Sequence, residues 1–240
     1  MKATRITQHP RTGSMLAVSL CSAVLVSTAA AAGKGGHGLR IDAASAPLLD
    51  GNEAAHLTFM REEEKLARDV YLSLAGMYPE QAVFSTIATR SEQTHTDTMR
   101  DRLEQYGLPD PNPDANNLPG SVGVFSGVAW GWYFAEKYQA LVSKGAESEL
   151  AALYVGALIE ELDMHDIAEC PQVMVDAGYS DPCGLHYTDE TALRNAYRSL
   201  IDGSENHLRA FVGQIEAVIG AGNYVAQYLS QEEVDAILGR

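Results

Sequence analysis

The sequence predicts an all-α protein built on four long helices, with a long connection between the second and the third. Three observations carry that expectation. Apolar residues recur at three- and four-residue steps over 53–77, 80–106, 147–169 and 190–219, the period of one helix face rather than the alternation of a strand. The stretch from Pro109 to Pro119 is rich in Pro and Asn and cannot be helical throughout, so it separates the middle pair. A chain of 240 residues with 46% apolar content can bury a core of its own, and it shows no internal repeat.

Taken in order, Lys2, Arg5 and Arg11 precede an apolar run from Met15 to Val26 and the small residues Ser27 to Ala32. Basic, then apolar, then small is the order of a secretory signal peptide, assigned to 1–32, with cleavage near Ala32. Lipidation at Cys21 is not expected, because Leu20 precedes it. Residues 33–50 are rich in Gly and Ala without a period and read as a flexible lead-in. A single helical domain is expected over 51–240.

In its first helix, Leu57, Met60, Ala67, Tyr71, Leu74 and Tyr78 share one face. The second places Phe84, Ile87, Ala88, Met99, Leu103 and Tyr106 in the same way, with Gly107 as its stop. A shorter helix near 131–143 carries Trp132, Phe134, Tyr138 and Leu141, and Trp130 and Trp132 read as packing residues. The third long helix has Tyr154, Ala157 or Leu158, Met164 and Ala168 on its stripe. The fourth has Tyr197, Leu200, Ser204, His207, Phe211, Ile215 and Val218, and a tail helix near 230–238 closes the chain.

Charge excludes some partners. The formal net charge is −15, and removing 1–32 takes away three of the 17 basic residues and none of the 32 acidic ones, leaving −18. Nucleic acid and anionic lipid both require a basic face, so neither is expected as a partner. No apolar run is long enough to span a bilayer, so no stable membrane insertion is expected once the leader is removed. Three cysteines are too few for a disulfide scaffold. Export to the periplasm or the exterior permits a disulfide between Cys170 and Cys183, around a loop containing Gly178, Pro182 and Gly184.

The informative residues are the polar ones in phase with the apolar faces. Glu64 fills the gap in the first stripe between Met60 and Ala67, with Glu63 on the neighbouring stripe. Glu92 and His95 form a Glu-x-x-His in phase with Ala88 and Met99, and a three-residue step puts both on one face. Glu161 falls in the phase of the third helix, with Glu160 and Asp163 close enough to compete and His165 four residues on. His207 lies on the fourth stripe. A carboxylate on a core stripe is costly to bury unless paired or bound to a cation. Carboxylates and imidazoles converging from four helices are the ligand chemistry of iron or manganese.

The set Glu64-x-x-Ala67-x-x-x-Tyr71, Glu92-x-x-His95, Glu160-Glu161 and His207 resembles the ferritin-like superfamily. The runs REEEKLARDVY, GALIEELD and GSENHLRAF resemble the DUF2202 domain family, over roughly residues 50 to 230. The resemblance implies a ferritin-like four-helix bundle with a carboxylate-bridged metal site. It implies Glu64 as first-helix ligand, Glu92 as bridge with His95 beside it, Glu161 or Glu160 from the third helix, and His207 from the fourth. It further implies iron (Fe2+/Fe3+) or manganese as cofactor, and O2- or peroxide-linked redox or iron oxidation as activity; a metal held for storage, sensing or stability is the non-catalytic alternative. Tyr71 is placed to hydrogen-bond a ligand or pass an electron. Where the superfamily carries a second Glu-x-x-His, this chain has Ser204-x-x-His207, leaving Glu205, Asp163 or His165 to compensate. A homo-oligomer is compatible with this architecture. A hollow multi-subunit shell is not expected, because the insertion near 108–145 and the loop near 170–187 would crowd its packing.

Overall fold

Asp50 starts the first helix. Its Oδ1 accepts from the Asn52 and Glu53 amides, each at 2.9 Å, while Glu53 Oε2 accepts from the Asp50 amide at 2.9 Å. This reciprocal cap satisfies N–H groups that a helix start otherwise leaves open. The helix it opens, α1, runs Gly51–Met77. The structure is a computed structural model that describes residues 49–179 and 183–240, and all regular structure among the described residues is helical. The expected signal peptide and residues 33–48 of the expected lead-in lie outside the described residues.

The second helical stretch is not uniform. It comprises α2 (Ala82–Thr86), a π-helical segment (Ile87–Glu92) and α3 (Gln93–Gln105). The Gln93 amide bonds to Ala88 O, five residues back instead of four. Such a π-bulge admits an extra residue per turn and recurs at functional sites. Here it ends on Glu92. After Tyr106, Gly107 takes φ +68°, and the Leu108 amide returns to Leu103 O at 2.9 Å, the left-handed stop that only glycine adopts freely.

The connection to the next long helix contains α4 (Gly131–Gly145). Phe134 of α4 is buried against Phe59, and Trp130 packs edge-on to Phe59. Trp132 departs from the expected packing role: it is 62% exposed, and its indole N–H bonds only to Ala129 O at 3.2 Å. Ser148 then caps α5 (Glu149–Ala168) through the Ala151 amide. A short α6 (Gln172–Asp176) follows, and Cys170 and Cys183 form a disulfide with their Cα atoms 5.0 Å apart. The chain closes with α7 (Thr191–Ile219) and α8 (Gln231–Leu238). Among the described residues no helix is long and apolar enough to cross a membrane.

Helix α5 lies along α7, while α1 packs on α3 and the π-helical segment, and α4 covers both α1 and α5. Helix α1 is buried on two faces. One is the expected apolar stripe of Leu57, Met60, Ala67, Tyr71 and Leu74. The other carries Arg61, Lys65, Arg68 and Asp69, all nearly inaccessible. The irregular connection folds over that face and satisfies it: Arg61 makes a two-pronged pair with Asp110 at 3.0 and 2.9 Å, Arg68 donates to Ala115 O at 2.9 Å, and Lys65 donates to Ser121 O at 2.9 Å. Lys65 also stands 4.3 Å from the centre of the Phe125 ring. The long connection is therefore a cover for buried charge, and the residues it covers hold it in place.

Candidate metal centre

Glu64 on α1, Glu92 at the end of the π-helical segment and His95 on α3 come together, each buried, with one ligand-type atom of each within 4.8 Å of the others. Glu92, Glu160 on α5 and His207 on α7 form a second such triad. Glu92 belongs to both, so the two triads are halves of one cluster. His95 Nδ1 lies 3.3 Å from Glu64 Oε2 and 3.5 Å from Glu92 Oε2. His207 Nδ1 lies 2.9 Å from Glu92 Oε1 and 3.2 Å from Glu160 Oε2. The imidazole rings stand 5.5 Å apart across the shared carboxylate. Tyr71 O–H donates to Glu160 Oε1 at 2.6 Å and fixes that carboxylate's orientation.

Protons hold this charge together. Burial pushes Glu92 up, but the two imidazoles outweigh it and hold its carboxyl at about 2. Burial alone would lower His95 and His207. Glu92 and Glu64 instead raise His95 to about 12, while Glu160 and Glu92 raise His207 to about 10. Burial raises Glu64 to about 7 against the pull of His95, with Glu92 and Glu160 adding to the rise. Even so, the cluster is not satisfied by its own hydrogen bonds. Both oxygens of Glu64, Glu92 Oε2 and His95 Nδ1 are buried without a hydrogen-bond partner. Orphaned buried donors and acceptors of this kind are rare in a folded core. These groups could hold a metal ion.

The sequence-derived ligand set divides cleanly. Glu64, Glu92, His95 and His207 are brought together. Glu161, preferred over Glu160 on helical phase, is not: Tyr224 O–H donates to its Oε1 at 2.6 Å, and the Gln227, Tyr228 and Leu229 amides donate to its Oε2 at 2.8, 2.6 and 3.0 Å. Its carboxylate is spent on pinning the 227–229 segment, and Glu160 occupies the inward position. Glu63 is buried beside Asp166, with Oε2 unpartnered, and burial together with Asp166 and Asp163 raises it well above the carboxylate range. His165 turns away from the cluster to Asp166 Oδ1 at 2.8 Å and sets its ring edge-on to Tyr228. Asp163 is buried near both triads and accepts from Ser204. The role of Ser204 had no signal in the sequence beyond its position three residues before His207.

Gly203 sets the approach of α7 to α3 here. A Cβ on it would stand 2.5 Å from the His95 ring atoms Cε1 and Nε2. Gly203→Ala is expected to displace His95, to cost about 1–3 kcal/mol through overpacking, and to weaken metal retention. Thermal melts and metal content measured on the same samples check both halves. An unchanged metal content would show that His95 has room to move.

Residues 53–240 match the family model described as an uncharacterized protein domain, DUF2202. A protein of Methanocaldococcus jannaschii, "Uncharacterized protein MJ0754", is 41% identical to this chain over 186 residues, 78% of this chain and 86% of that protein. The structure described as "Crystal structure of hypothetical protein MJ0754 from Methanococcus jannaschii DSM 2661" is similar to this one with a TM-score of 0.66. It is 39% identical and covers 81% of this chain and 95% of that one.

Proposed function

We propose, starting from the fact that the chain belongs to the DUF2202 family, that it is an exported ferritin-like four-helix bundle whose centre holds iron or manganese for redox chemistry toward O2 or peroxide. The observation that carries this reading is the sharing of Glu92 between two buried triads in which both Glu64 oxygens and Glu92 Oε2 have no hydrogen-bond partner. Glu64 and His95 would hold an ion on one side, Glu160 and His207 on the other, with Glu92 between them. Such an ion, when bound, supplies one-electron redox capacity and a coordination position for an oxidant. The protein's part is to exclude water, to fix Glu160 through Tyr71, and to surrender the protons that keep the cluster neutral. The N-terminal leader expected from Lys2 to Ala32 supports export.

The reading is tested by titrating Fe(II) anaerobically, admitting air and following ferric absorbance, beside the Glu92→Ala/His95→Ala double variant. Retention of iron and a rise in absorbance by the wild type only is the expected result. Retention without oxidation would assign the non-catalytic role, and no retention would sink the proposal.

Metal binding is also expected to strengthen with pH. His95 at about 12 and His207 at about 10 are protonated near neutrality, and Glu64 at about 7 is half protonated. An ion must displace those protons, so affinity rises by about tenfold per pH unit for each proton released. A weakly buffered Mn(II) titration should release about two to three protons for each filled centre. Affinity independent of pH between about 6 and 8 would contradict the assignment of the two imidazoles as ligands.

A further inference from the structure

Ser204 stands three residues before His207, where Glu92 stands relative to His95. Its hydroxyl donates to Asp163 Oδ2 at 2.5 Å, with Leu200 O 3.1 Å away. Both side chains are buried, Asp163 at 4% and Ser204 at 0% exposure. Asp163 lies three residues after Glu160, so both project from one face of α5. Its second oxygen, Oδ1, has no hydrogen-bond partner. Glu64, Glu160 and Glu92, the carboxylates of both triads, act on Asp163, as does Glu63.

We propose that Asp163, held by the Ser204 hydroxyl, is the fourth carboxylate of the centre, and that the centre thereby takes two divalent cations. The inference rests on the reading above that the triads bind metal. Its physical basis is charge balance in a dry core. Glu64, Glu92 and Glu160 with two neutral imidazoles leave two divalent ions with one uncompensated positive charge, which is costly to bury. Adding Asp163 makes the set neutral. Without metal, this carboxylate has Glu63, Glu64, Glu92 and Glu160 as acidic neighbours and the Ser204 hydroxyl as its hydrogen-bond partner. The acid missing from position 204 is in this account supplied from the facing helix, and the serine left behind orients it.

Asp163→Asn keeps the shape and removes the charge; Ser204→Ala removes the hydroxyl and leaves the carboxylate. Mn(II) is the probe, with bound metal per chain from elemental analysis and the spin state from electron paramagnetic resonance. The wild type should bind two ions with the signal of a coupled pair. Asp163→Asn should bind one ion with an uncoupled six-line signal, and Ser204→Ala should bind the second ion at least about tenfold more weakly. Two coupled ions in Asp163→Asn would overturn the proposal, as would a wild type that binds one ion, and in both cases the metal-binding reading itself survives. A wild type that binds none defeats both. Should Asp163→Asn fail to fold, the weakened second ion in Ser204→Ala decides the matter, and wild-type affinity there overturns the proposal.

Discussion

Glu92→Gln is expected to empty both halves of the centre at once. Glu92 is the one residue common to the two triads, so its loss removes a ligand from each, whereas Glu64→Gln or Glu160→Gln removes a ligand from one. Loss of even an outer-shell partner typically weakens metal binding about 10–100-fold, and a shared ligand should exceed the upper end of that range. Retained metal after desalting should therefore fall to near zero in Glu92→Gln and to a partial level in the other two. The fold should survive. Glu64 stays beside His95 and Glu160 beside His207, so each imidazole keeps a carboxylate partner and no buried charge is stranded. Elemental analysis beside circular dichroism separates loss of metal from loss of structure. Equal retention in all three variants would show that Glu92 does not link the triads.

The second large effect is on stability and lies away from the centre. Asp69 is fully buried and is the partner of two buried cations: Arg68 donates to its Oδ1 from Nε at 3.0 Å and from a terminal nitrogen at 2.9 Å, and Lys65 pairs with Oδ2. The Gly123 amide donates to Oδ2 at 2.9 Å, tying the long connection to the same carboxylate. Asp69→Ala leaves both cations buried without their counterion, an arrangement that costs about 3–5 kcal/mol. In a domain of this size each kcal/mol shifts the midpoint by roughly 2–4 °C, so a drop of roughly 6–20 °C is expected. Metal content should not change, because Asp69 belongs to neither triad. A loss under about 1 kcal/mol would show that water reaches Lys65 and Arg68 through the long connection.

Much of this was legible in the sequence, and the misses share a cause. Helices α1, α3 and α7 carry polar residues on one face and apolar ones on another, and the phase singled out Glu64, Glu92, His95 and His207, which the fold brings together. Helix α5 has no such contrast: Ala152, Val155, Ile159, Glu160, Glu161, Asp163 and Met164 are all buried. Where apolar and acidic residues are mixed around the whole circumference of a helix the apolar period carries no direction, so Glu160 and Glu161 could not be separated. What separates them is Tyr71 on one side and the 227–229 backbone on the other, contacts between residues distant in sequence. The buried charge on α1 was hidden for a related reason. Arg61, Lys65, Arg68 and Asp69 lie off the apolar stripe, and the folded connection with Asp110, Ala115 and Ser121 covers them. The π-helical turn before Gln93 has no simple sequence signature either, though it fixes where Glu92 points.

The central claim is that one buried cage of Glu64, Glu92, His95, Glu160 and His207 binds metal. Crystals grown with Mn(II) or Fe(II), measured on either side of the metal's absorption edge, test it most directly. Anomalous density is expected inside that cage, in contact with Glu92. Density confined to surface carboxylates, with none inside the cage, would contradict it.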